Sequence, residues 1–171
     1  MSGNTARLYE EDFVRWTEHQ SNALREAAQF GTNLPLDWEN LAEEIESLGR
    51  SQGHELRSRI AVTLEHLLKL EHSPATDPRR GWMETIARER SEIELVLDDS
   101  PSLQGDIARM IAEASSRVVQ LTTRVLRLHG ENVGNLAAPT YTEDQVLGDW
   151  FPGNAPHPNP LPASGERTAP A

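Results

Sequence analysis

Apolar residues recur every three or four positions along most of the chain, and no convincing alternation of period two appears. That spacing predicts helices throughout. A first helix is predicted over residues 10–29, with Phe13, Trp16, Gln20, Ala23, Leu24 and Ala27 on one face and Gly31 beyond its end. A second opens at Asp37, a good N-cap following Pro35, and reaches Glu71. Gly49 and Gly53 fall inside it, each costing about 1 kcal/mol against alanine in a helix interior. The pattern leaves open whether this helix is continuous, bent or split there. A third lies between Pro78 and Asp98, using Trp82, Ile86, Ile93 and Leu97. The fourth follows "DSPSL", where Ser100 is the expected cap and Pro101 the first helical position. Its apolar stripe reads from Leu103 and Ile107 through Val118, Leu121 and Val125 to Leu128, and Gly130 ends it.

Thr142 and Gln145 have the spacing of a capping box, which predicts a short fifth helix ahead of "DWFPG". Trp150 and Phe151 are expected to pack back on the others. The predicted fold class is therefore all-α: an antiparallel bundle of about four main helices plus a short C-terminal one. The bundle covers residues 8–152, after a flexible N-terminus, 1–7. Six of the 11 prolines fall in the last twenty residues with almost no large apolar side chain among them. Such a composition cannot offset its ordering entropy, so residues 153–171 are expected to be a disordered Pro-rich tail. The stretch "PHPNPLPASGER" also resembles the translated product of a bacterial intergenic repeat element, which is favoured over a proline-rich recognition ligand.

Composition narrows the function classes. The 171 residues are 37% hydrophobic and 25% charged, ordinary for a soluble domain with a real core. No apolar run is long enough to span a membrane, and no charged-then-apolar leader begins the chain, so a cytoplasmic protein without membrane association is expected. The absence of cysteine excludes disulfides, thiolate zinc sites and cysteine nucleophiles. A net charge of −11 opposes binding to a phosphate backbone, so no nucleic acid is expected as partner.

Four motifs in order carry a resemblance: "NLAEEIESLG" (Asn40 to Gly49), "HLLK" (His66 to Lys69), Trp82, Thr85, Ile86 and Arg90 at the spacing W..TI...R, and "DSPSL" (Asp99 to Leu103). With the closing "YT..QVL.DWFP" (Tyr141 to Pro152), the chain resembles the all-helical bacterial family catalogued as domain of unknown function 29, over roughly Leu8 to Pro152. Leu70 departs from the pattern, since the family usually has an aromatic after the lysine. The resemblance implies a helical domain common in cyanobacteria and proteobacteria, with no established biochemical activity.

The segment "LDWENLAEEIESLG" holds five carboxylates and no cation. At about 100° per residue, Trp38, Leu41, Ile45, Leu48, Leu56 and Ile60 form one stripe, the expected core face, while Glu39, Glu43 and Glu46 fall on its flank. No Glu-x-x-His or His-x-x-x-His spacing occurs, so a di-iron or zinc site lacks its ligands, and no metal or cofactor is expected. The acids are read mainly as a helix start. His66 borders the stripe and is read as a core-edge histidine; the sharper alternative makes it a proton shuttle or ligand beside Arg90 or Glu89. Arg59 is expected to be neutralised by Glu55 four residues earlier. Arg109, Arg117, Arg124 and Arg127 share the outer side of the fourth helix with Asp106 and Glu113, a solvated face or a partner for the acidic flank.

No P-loop, dinucleotide glycine pattern or nucleophile elbow is present. The favoured function is a non-enzymatic protein-interaction module, the partner unidentified, with a homodimer also open. Ala61, Leu64 and Leu68 widen the second helix's apolar face, through either dimerisation or a central position. The alternative is an enzyme or a small-ligand or metal binder with a pocket between the second and third helices. Glu43, Glu46, His66 and Arg90 are the candidate ligand or partner contacts.

Overall fold

The computed structural model describes residues 2–31 and 34–153, and the predicted tail from residue 154 lies outside them. Every regular element is helical: α1 (Ser2–Glu11), α2 (Phe13–Gln29), α3 (Trp38–His72), α4 (Arg79–Asp99), a 3₁₀ turn (Pro101–Asp106), α5 (Ile107–Leu128) and α6 (Glu143–Leu147). The all-α fold with four main helices is as predicted. The first helix differs. It begins at Ser2 and breaks at Asp12, whose extended backbone and side chain cap α2 by accepting from the Arg15 N–H.

α3 is the axis of the molecule. Its 35 residues, about 52 Å of helix, run without interruption through Gly49 and Gly53. Asp37 caps its start, accepting from the Asn40 N–H. At Gly49 α2 passes so close that only glycine fits without a shift: a β-carbon there would lie 2.2 Å from the Thr17 hydroxyl oxygen. At the far end the buried Arg79 donates to the carbonyls of Leu70 and Ser73, closing the C-terminus of α3.

The main core surrounds the C-terminal half of α3, where Leu56, Ile60, Leu64 and Leu68 meet α4 through Ile93 and Val96 and α5 through Ile107 and Met110. Leu64 and Leu68 are fully buried, so the widened apolar face reflects a central helix. A second cluster joins Leu67, Leu70 and Ile86 to Trp82, Trp150 and Phe151, which do pack back.

Three local expectations are corrected. Ser100 forms no side-chain cap, and its hydroxyl instead accepts from the Val14 N–H. Tied crosswise to α2, residues 101–106 wind as 3₁₀ and α5 starts only at Ile107. On α5, Leu121 and Leu128 are 45% and 81% exposed while Val119, Thr122 and Leu126 are buried, a face rotated from the stripe read from sequence. Leu41 and Leu48, assigned to the core face of α3, are 40% and 49% exposed. Beside them α3 is packed by α2, and the contact runs along Ala42, Gly49, Thr17 and Ser21.

Candidate functional site

The acidic flank is built into the fold. Glu46 accepts from Arg25 of α2 at 2.5 Å and pairs with Arg50 one turn on at 3.1 Å. The hydrogen bond from Arg25 is the main reason the Glu46 carboxyl lies below its ordinary value. Glu39 and Glu43 add to the field that raises Arg25. Arg25 and Arg50, and not the α5 arginines, are thus the intramolecular cations for this flank. On α5, Arg109 is held by Asp106 and Glu113, and Arg127 donates to Asn135.

The four candidate contacts do not assemble into one site. Glu43 and His66 sit 23 residues apart on one continuous helix, about 34 Å, and Glu46 is one turn from Glu43. His66 is half-buried, and its Nδ1 donates to the Val62 carbonyl at 2.9 Å. Neither Arg90 nor Glu89 is its hydrogen-bond partner among the described residues: Glu89 accepts from Arg59, which also pairs with Glu55 and Glu92 and so ties α3 to α4. The tryptophans do not line one pocket either. Trp16 stacks on Phe13 with its edge toward Tyr9, far from the Trp82 and Trp150 cluster.

Arg90 has a different role. Buried on α4, it donates through Nε to the Val146 carbonyl at 2.9 Å and through Nη2 to the carbonyls of Gln145 at 2.9 Å and Trp150 at 2.7 Å. The Phe151 ring lies against the guanidinium, 5.0 Å from its carbon to the ring centroid. Burial lowers the pKa of Arg90, and nearby Asp149 opposes the shift. Starting from so high a value, the guanidinium remains charged at neutral pH. The capping box of Thr142 and Gln145 starts α6, and Arg90 fastens its end.

That clamp builds a groove. With residues 147–151 pinned beside α4, a cavity of about 1360 Å³ opens between them. Met83, Ile93, Leu97, Leu147 and Phe151 give it an apolar floor. Its long wall is one face of α4 from Arg80 to Asp98, about 27 Å or five helical turns. Glu84 on the rim is paired with Arg80, whereas Glu94, Asp98 and Asp149 have no ion-pair partner among the described residues. Sequence reading missed this groove, because no motif announces a wall made by a clamped loop. The one signal was Arg90 on the apolar side of its helix. Among the described residues no cluster of three potential metal ligands occurs, and no helix is long and apolar enough to cross a membrane.

Comparison with known proteins agrees with this architecture. An alpha-helical protein of unknown function from Rhodospirillum rubrum, known from its crystal structure, is 28% identical with a TM-score of 0.68. The likeness covers 84% of this chain and 90% of that one. No curated protein matches the chain. Residues 8–151 match the family described as domain of unknown function DUF29, a span that includes the acidic flank, the Arg90 clamp and the α6 capping box. The chain belongs to the DUF29 family.

Proposed function

We propose that this domain is a non-enzymatic protein-interaction module whose α4 groove receives an apolar-faced, basic helical segment of a partner protein. The observation that carries this reading is the combination in one trough of an apolar floor, a five-turn helical wall and three acids, Glu94, Asp98 and Asp149, without an ion-pair partner among the described residues. A helix laid in such a groove buries its apolar face on Met83, Leu97 and Phe151 and sets lysines or arginines against the rim. The net charge of −11 favours the approach of a cationic partner, with a rate that falls as salt is added. The earlier candidate surfaces are less suited: the acidic flank already holds Arg25 and Arg50, and Arg109 on α5 is already paired.

The test is binding of a designed amphipathic helix, leucine on one face and lysine on the other, followed by fluorescence anisotropy. The wild type is expected to bind with salt-sensitive affinity, and the triple change Glu94→Lys, Asp98→Lys, Asp149→Lys to lose at least tenfold. Equal binding by both proteins sinks the proposal. Crosslinking in the native host then identifies the natural segment.

A further inference from the structure

We infer that the α2–α3 arm is a homodimerisation surface, whose occupant is the same arm of a second copy of this chain, completing a four-helix bundle. The inference concerns a face apart from the α4 groove and does not rest on the function proposed for that groove.

The arm consists of α2 and the first half of α3, and its two helices meet through unusually small or polar side chains. Thr17 and Ser21 on α2, and Ala42 and Gly49 on α3, are the buried positions of the contact. Projected at about 100° per residue, Leu41 and Leu48 lie roughly 100° around α3 from Ala42 and Gly49. They therefore point to one side of the arm and away from α2. Of the larger apolar residues of α2, Trp16 lies about 100° around from Thr17 in the same way and Phe13 about 40°, both on the side away from Arg25. The Arg25–Glu46 bridge fixes the other side of the arm as its polar face. The two helices thus form a slab that is polar on one side and apolar on the other, and among the described residues Tyr9 of α1 packs on the Phe13 and Trp16 end of the apolar side.

The exposure figures agree. Of the nine large hydrophobic residues left exposed among the described residues, six lie between Tyr9 and Leu48: Tyr9, Phe30, Leu34, Leu36, Leu41 and Leu48. At exposures of 86%, 60%, 48%, 40% and 49%, the last five alone present about 500 Å² of apolar surface. A specific interface takes roughly 600 to 1,000 Å² from each partner, and Tyr9 with the half-buried Trp16, Trp38 and Ile45 adds to these five. A second copy suits this face for a geometric reason. A slab of two antiparallel helices, each about 25 Å long in the arm, meets an identical slab across a two-fold axis at matching length, which gives the four-helix packing that a lone hairpin lacks.

The experiment uses the full chain. Sedimentation equilibrium is expected to give twice the chain mass, and Leu41→Glu with Leu48→Glu to halve it while the helical circular dichroism is unchanged, since both positions are exposed in the single chain. Because the chain lacks cysteine, Leu48→Cys provides a second readout: mild oxidation is expected to link two copies, whereas Leu121→Cys on α5 is not. A wild type that stays monomeric at every concentration overturns the inference. So does a dimer that survives both glutamates, or one that is linked by Leu121→Cys and not by Leu48→Cys.

Discussion

The Asp12 carboxylate accepts both the backbone N–H and the hydroxyl of Ser102, each at 2.9 Å, across ninety residues of sequence. The same carboxylate caps α2 through the Arg15 N–H at 3.0 Å. Beside it the Ser100 hydroxyl accepts from the Val14 N–H. One buried acid therefore sets the break between α1 and α2 and the place where the "DSPSL" turn is moored. Asp12→Ala removes the cap and orphans two donors at Ser102, a loss of about 2 to 3 kcal/mol in denaturant unfolding. Ser102→Ala keeps the backbone bond and is expected to cost less than half as much. Equal losses would contradict this division of roles.

Gly49 and Gly53 sit one turn apart on α3 and predict opposite outcomes. Alanine at 49 puts its β-carbon 2.2 Å from the Thr17 hydroxyl, which is itself bonded to the Val14 carbonyl, so the arm must open. A loss of about 1 to 3 kcal/mol is expected. At Gly53 a β-carbon meets nothing within 4 Å, and alanine gains its helix propensity, about 0.5 to 1 kcal/mol. Paired denaturation curves check the contrast, and adding Thr17→Ser or Thr17→Ala tells whether the clash lies where stated: only the alanine removes the hydroxyl and restores Gly49→Ala.

Much of this was legible in the residues. Asp37, the Thr142 and Gln145 box and Gly130 marked helix ends because local side-chain and backbone chemistry decides them. The arm was misread for a physical reason. Periodicity identifies an apolar stripe but cannot say that a neighbour packs 100° away from it, and the glycines at 49 and 53, whose effect on the helix the pattern leaves open, are sites of close approach or free space. Nothing in the sequence singles out Asp12, since the Ser102 groups it accepts from lie ninety residues on. Arg90 is only a candidate ligand or partner contact in the sequence, and the folded chain alone brings three carbonyls to it.

Glu46 supplies a pH dependence. Its carboxyl is held below its ordinary value of 4.5 first by the hydrogen bond from Arg25. A group depressed in the folded state stabilises above its unfolded value, and the contribution is lost as pH falls through the folded value. Stability of the wild type is therefore expected to decline below about pH 4.5 more steeply than that of Glu46→Gln. Both side chains are 36% exposed, so the difference is small and shrinks with salt. Denaturation midpoints at falling pH, in low and high salt, measure it. Parallel curves for the two proteins would show that Arg25 contributes nothing through this bridge.

Arg90 links stability to the groove. Removing its guanidinium leaves the carbonyls of Gln145, Val146 and Trp150 without their donor at the end of α6 and frees the wall that Leu147 to Phe151 provide. Arg90→Met retains much of the stem's packing and is expected to cost about 2 to 4 kcal/mol. Of the clamped segment, only Val146 and Leu147 reach the main core around Leu56, Ile60 and Leu64, so the loss falls first on the segment itself. Hydrogen exchange of amides 144–151 should therefore accelerate strongly while those in the middle of α3 keep their protection. Lysine cannot present two nitrogens in a fixed fork, so Arg90→Lys should restore only part of the protection. Both variants are expected to weaken binding of the basic amphipathic helix in the order of their exchange rates. A protein whose residue 147–151 amides open freely yet binds that helix as the wild type does would separate the clamp from the site and leave the groove without its role.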